Sequence, residues 1–268
     1  MREEPKHEQL LDKQIAGASR EVERVRRLAY TDRRFLPDLV DALCELAKFR
    51  SRVGEPGRSE RLYREALTHC EESDVEVAPE LLFRIHSLMA YHYDKSERNE
   101  LAVEHYEQSL ALAEKSKLLQ PIQIAVIHNN LAMLYKRTSS PEKAEESYLN
   151  ALREFQQGLE GDSKDDARVA SVYNNLGVLY YSKHDFDKAC EFHTEALGIR
   201  QRLFGNNGHH YDLGQSYNNL AAVHKAMGNY DRAAEFFAKV EELGDEAGSD
   251  LNRGVIDPES GMGSVVDE

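Results

Sequence analysis

Three asparagine pairs stand at matched places in the chain: Asn129-Asn130, Asn174-Asn175 and Asn218-Asn219, each followed by a leucine. A carboxamide carries both a donor and an acceptor. A spaced row of them can therefore pair with the C=O and N–H of an extended peptide, whatever side chains that peptide has. The first asparagine of each pair has a competing task, satisfying turns between adjacent helices. The second, Asn130, Asn175 and Asn219, is read as the binding one. No reactive centre accompanies them. The chain has no Gly-rich phosphate loop, no His-Glu-x-x-His, no Gly-x-Ser-x-Gly and no Cys-x-x-Cys. Of its eleven histidines, His209 and His210 are adjacent and so cannot share a helix face, while His92, His128 and His224 fall inside helical patterns. The expectation is a binding protein, not an enzyme, with no cofactor and no metal site.

The asparagines belong to a longer repeat that must position them. The following leucines, Leu131, Leu176 and Leu220, are 45 and 44 residues apart, and Leu46 and Leu88 extend the series upstream at spacings of 42 and 43. A small residue follows the leucine in four copies (Ala47, Ala132, Gly177, Ala221), and Met89 takes its place in the second. Thirteen residues beyond the leucine comes another small residue, Ser59, Ala144, Ala189 or Ala233, with Ala102 displaced by one. Four further on stands an aromatic or histidine: Tyr63, Tyr106, Tyr148, His193 or Phe237. This pattern predicts two helices per copy, with the leucine and the aromatic filling the gap and the small residues letting the backbones approach. Neither helix buries its stripe alone, so copies must stack. Ser140, Asp185 and Asn229 are read as N-caps of second helices, with Pro56 and Pro141 at first helical positions.

The pattern resembles the tetratricopeptide repeat, and its long period and recurring Asn-Asn-Leu are most similar to the repeats of kinesin light chain. The likeness is good over 128–240, looser over 37–116, and absent from 1–35 and 244–268. It implies an all-α, right-handed superhelical solenoid of five helix pairs, at about 36–78, 79–120, 121–165, 166–210 and 211–243. It also implies that the first helix of each pair lines a concave groove. The groove positions are then Asn130, Asn175 and Asn219, with Met133, Val178 and Ala222 two places after the leucine. Lys136, Tyr181 and Lys225 come five places after it, and Arg137 is next to Lys136. Asparagines in related repeats hold peptide backbone and the lysines hold acidic groups. Glu45 and Ser87 replace the asparagine in the first two copies, which confines such a groove to repeats three to five.

The termini read differently. Leu11, Ile15, Ala18, Val22, Val25 and Ala29 make a narrow apolar seam, predicting a helix over about 7–30 that caps the first repeat or forms a coiled coil. Residues 244–268 are Gly-rich, lack a helical period and are expected to be a disordered acidic tail. From 241 onward there are nine acids and one arginine, more than half of the chain's net −14. No repeat helix follows the fifth copy, although arrays normally carry a polar cap there.

With a pI near 5.3 and no interleaving of arginine and aromatics along the groove, the chain is not expected to bind nucleic acid. No run of 18 apolar residues exists, so no membrane span is expected. MREEPKHEQLL lacks the apolar centre of a signal peptide, and Cys44, Cys70 and Cys190 are scattered, which suits a reduced cytoplasmic setting. Two function classes remain. One is an adaptor, chaperone or regulator that holds a peptide segment of a partner protein, acidic segments included. The other is a structural subunit of a larger assembly, self-associating through the N-terminal helix or the uncapped fifth repeat.

Overall fold

The computed structural model describes residues 4–74, 76–159, 166–205 and 211–247. These residues form α1 (Glu4–Thr31), a 3-10 turn (Arg33–Phe35), α2 (Leu36–Arg52), α3 (Pro56–Glu71), α4 (Pro79–Lys95), α5 (Asn99–Ser116), α6 (Pro121–Arg137), α7 (Pro141–Gly158), α8 (Ala167–Ser182), α9 (Phe186–Phe204), α10 (Tyr211–Ala226) and α11 (Tyr230–Ala247). No strand occurs among the described residues, and the fold is an all-α array of tetratricopeptide-type helix pairs. The chain divides into two compact units. The first comprises 1–127 with 137–139, and the second comprises 128–136 with 140–268.

The repeat leucines and their companions explain the packing. Leu46, Leu131, Leu176 and Leu220 are buried, as are Ala47, Ala132, Gly177 and Ala221 behind them and Tyr63, Tyr148 and His193 opposite. Gly177 shows why a small residue is needed: a Cβ there would lie 2.6 Å from Cε1 of His193. Met89 is buried as well.

The turn inside each repeat has one geometry. A residue at the helix C-terminus takes left-handed φ, and the next backbone N–H reaches back five residues. The five residues are Gly54, Glu97, Ser139, His184 and Gly228. The closing bonds are Glu55 N–H to Arg50 C=O at 2.9 Å, Arg98 to Tyr93 at 2.9 Å, Ser140 to Tyr135 at 2.8 Å, Asp185 to Tyr180 at 3.0 Å and Asn229 to His224 at 2.8 Å. This is a Schellman-type cap, which satisfies carbonyls that the helix end would otherwise leave open. The caps expected at the following helices divide. Asp185 accepts from Lys188 N–H at 3.3 Å, whereas the Ser140 side chain makes no capping bond and its backbone N–H closes the turn instead.

At the N-terminal end, α1 packs on α2. Ile15, Val22, Val25 and Ala29 are buried, and Leu11 and Ala18 are half-buried. At the other end, α11 runs to Ala247, through Gly244, where the sequence pattern had the tail begin. A single glycine subtracts only ~1 kcal/mol from a helix whose neighbours, Glu241, Glu242, Glu246 and Ala247, favour or tolerate it. The remainder of the expected tail, 248–268, lies outside the described residues, as do His209 and His210.

Candidate functional site

The second unit carries the asparagine row on its first helices, and the structure reveals a bond not visible in the sequence. Asn175 Nδ2 donates to Asn129 Oδ1 at 3.4 Å, and Asn219 Nδ2 donates to Asn174 Oδ1 at 2.8 Å. The second asparagine of one repeat is thus held by the first asparagine of the repeat before it. Asn174 is buried, while Asn129, Asn175 and Asn219 are half-buried. Each donating carboxamide has a further N–H and an oxygen beyond this bond. The only sequence signal was that both asparagines recur together at the same period.

The other expected groove residues divide. Asn130, Met133, Lys136, Val178, Tyr181 and Ala222 are half-buried, and Lys225 is exposed. The Tyr181 ring lies 5.5 Å from that of Phe186. Arg137 belongs to the first unit, where its guanidinium pairs with Asp94 and donates through Nε to Asn99 Oδ1 at 3.0 Å. Its charge is engaged in tying α6 to α4 and α5.

Behind the first helices, Glu145 of α7 forms a clasp that sequence reading missed. It accepts from Tyr180 Oη and from Lys183 Nζ, both at 2.5 Å. The Lys183 and Tyr180 hydrogen bonds hold the Glu145 carboxyl below the usual range, and burial together with Glu145 pushes the Tyr180 hydroxyl up to about 12. The first unit repeats the motif: Glu60 of α3 accepts from Tyr93 Oη at 3.1 Å and from Arg98 at 2.7 Å. Between α9 and α10, the buried Arg200 donates to Asp212 C=O at 2.9 Å, Ser216 Oγ at 2.7 Å and Gln215 Oε1 at 3.4 Å. Burial lowers its pKa and Asp212 opposes that.

Histidine chemistry here is packing chemistry. His92, His128 and His224 are buried, with burial the first cause lowering each pKa. His193 is pushed down to about 3 by burial and by Arg200. Among the described residues no group of three or more His, Cys, Asp or Glu could hold a metal ion. No helix of the described residues is long and apolar enough to cross a membrane. Cys44 and Cys70 are buried and Cys190 is half-buried, all as free thiols.

Tetratricopeptide repeat models match residues 125–155 and 168–246. Among solved structures, BtubC (BKLC) from P. vanneervenii is 39% identical, with 96% of this chain and 98% of that one covered and a TM-score of 0.69. The chain belongs to the tetratricopeptide repeat family. Two lower-identity neighbours share the fold. A kinesin light chain-like protein from Podosopora anserina with nearly identical TPR-like repeats is 18% identical, with 80% and 99% covered and a TM-score of 0.64. MamA is 16% identical, with 75% and 96% covered and a TM-score of 0.55. None of the curated proteins matches the chain. Tetratricopeptide repeats are protein–protein interaction scaffolds and, as a rule, not enzymes.

Proposed function

We propose that this tetratricopeptide repeat protein holds an extended peptide segment of a partner protein along the first helices of repeats three to five, as an adaptor, chaperone or regulator in the cytoplasm. Asn130, Asn175 and Asn219 would meet the peptide backbone. Met133 and Val178 would offer apolar contact, and Tyr181 an aromatic edge. Lys136 and Lys225 would meet acidic groups, while Arg137 would act mainly as a brace, given its pairing with Asp94.

The observation that carries this reading is the inter-repeat bond of Asn175 and Asn219. A carboxamide already held on one N–H loses little further freedom when its oxygen and second N–H bind, so less of the contact is offset by ordering. The test is affinity capture with the full chain, its Asn175→Ala, Asn219→Ala double variant and Asn129→Ala. Loss of captured partners in the double variant is expected, with weakened but persisting capture in Asn129→Ala, where Asn175 is no longer held in place. Asn129→Ala removes only the inter-repeat acceptor and leaves both binding carboxamides. A partner set unchanged in the double variant would overturn the assignment. A role as a structural subunit is the second reading, favoured by the exposed apolar residues of α11.

A further inference from the structure

One register in the array changes its environment at the last repeat. Tyr63, Tyr106, Tyr148 and His193 are 4%, 5%, 1% and 2% exposed, whereas the equivalent Phe237 is 42% exposed. In earlier repeats the second helix is covered by the first helix of the next: α4 packs on α3, α8 on α7 and α10 on α9. Among the described residues nothing covers α11 in this way. Phe236, Val240 and Leu243 turn inward onto the cluster of Leu213, Tyr217 and Leu220. Tyr230, at 69%, with Ala234, Phe237 and Ala238, faces outward at helical spacing, bordered by the exposed acids Asp231, Glu235 and Glu242.

The exposed face of α1 has the opposite chemistry. Lys13, Arg20, Arg24 and Arg27 are all exposed and recur at steps of seven, four and three, opposite the buried Ile15, Val22, Val25 and Ala29; Arg24 pairs with Glu21 at 2.6 Å, and the exposed Glu21 and Glu23 flank the row. This basic stripe stands out in a chain of net charge −14. Arg20 to Arg27 covers about 10 Å of helix axis and Asp231 to Glu242 about 16 Å, so the two charge rows are of matching scale. Guanidinium groups are weakly hydrated, stack on aromatic faces and pair with carboxylates, which suits them to a surface that offers both.

We propose that copies of this chain associate head to tail, the basic face of α1 of one copy covering the Phe237 face of α11 of another. The arginine stems lie over Phe237 and Tyr230, and their guanidinium groups meet Asp231, Glu235 and Glu242. Charge sign disfavours the other occupants. Two α11 faces would oppose acid to acid, and two α1 faces arginine to arginine. The segment 248–268 carries five acids against Arg253 and is repelled by the same border. A contact between two different surfaces leaves one free surface at each end of a pair, so growth passes the dimer, into rings where the rotation closes and into open rows where it does not.

Sedimentation velocity on the full chain over a concentration series tests this. At low salt the average mass should rise past the dimer with concentration, and it should return to monomer near ~0.5 M salt, where exposed charges are screened within a few ångströms. A Phe237→Glu variant and an Arg20→Glu, Arg24→Glu, Arg27→Glu variant should each remain monomeric. Mixed one to one they should stop at a dimer, since each retains one competent surface. A chain combining the three α1 reversals with Asp231→Lys, Glu235→Lys and Glu242→Lys should regain growth, provided Phe237 is kept. That result separates lost contact from lost folding. A wild-type monomer at every concentration overturns the proposal, as does association that survives in Phe237→Glu. Association that emerges only when 248–268 is deleted also overturns it, by assigning the face to the chain's own tail.

Discussion

The two units tie neighbouring first helices together with different chemistry. In the first, Asp41 of α2 pairs with Arg84 of α4, and Arg137 pairs with Asp94. In the second, the corresponding ties are neutral carboxamide bonds, Asn175 to Asn129 and Asn219 to Asn174. The clasp on the outer side is common to both, Glu60 with Tyr93 and Arg98 and Glu145 with Tyr180 and Lys183. Partly exposed ion pairs contribute ~0–1 kcal/mol and neutral hydrogen bonds ~0.5–1.5 kcal/mol, so neither chemistry is the main source of stability. What differs is the response to solution conditions. Only the first unit's ties are screened by salt, while the second unit presents a row of uncharged recognition groups whose geometry salt leaves alone.

The largest expected effect is acid destabilisation, and it reaches both units. His86 is pushed down to about 4, by burial first and then by His105, whose Nδ1 lies 2.9 Å from its own. His193 of the second unit sits at about 3. A histidine in the unfolded chain binds its proton near pH ~6.5, well above these folded values, so the unfolded state takes up protons first as pH falls. Stability should therefore be complete above pH ~6.5 and decline toward pH ~4, with a slope of about one proton per such histidine. Melting curves between pH 7 and 4 would check this. His193→Gln should flatten the slope in the second unit and His86→Gln in the first, resolved by hydrogen exchange.

Next in size is Gly177→Ala. The added Cβ meets the buried His193 ring, and overpacking should destabilise the second unit by ~1–3 kcal/mol. In combination with His193→Ala the added cost of the Gly177 change should vanish, a coupling that a double-mutant cycle measures. Smaller effects separate the ionic ties from the neutral ones. Asp41→Asn should lower stability by under ~1 kcal/mol at low salt and by nothing measurable at high salt. Asn174→Ala should cost ~1 kcal/mol at both, and equal salt dependence would erase the distinction between the units. Smallest, Glu97→Gly and Ser139→Gly in the first unit and His184→Gly in the second should each stabilise by ~0.5–1 kcal/mol, because their φ of 57°, 56° and 59° are values glycine adopts freely. Midpoints of denaturant unfolding would show it.

Much of the fold was legible because the repeat leucines, the small residues behind them and the aromatics opposite act through packing, which has a sequence period. Of the five left-handed turn residues, Glu97 and His184 were not legible, since neither residue type signals a turn and the position is imposed by helix closure on both sides. Side-chain partners were hidden for another reason. Asn219 and Asn174 are 45 residues apart, and only stacking brings them together. Arg137 read as a groove cation because its helix register is right; its partner Asp94 sits two repeat helices upstream. The Phe237 position was legible as a packing residue, and the uncapped fifth repeat expected from the sequence agrees with its 42% exposure among the described residues.

The carboxamide bonds have a direction. Every repeat that carries both asparagines offers an acceptor to the repeat after it and a donor to the repeat before it. Repeat four, with Asn174 and Asn175, has both ends of this connector in use. Such a segment is a self-compatible cassette: a tandem duplication of it supplies its own matching socket at the new junction. The carboxamide bonds of such an array carry over when it lengthens by whole copies, while the buried Arg200, whose partners Gln215 and Ser216 lie in α10, needs new partners at the added junction.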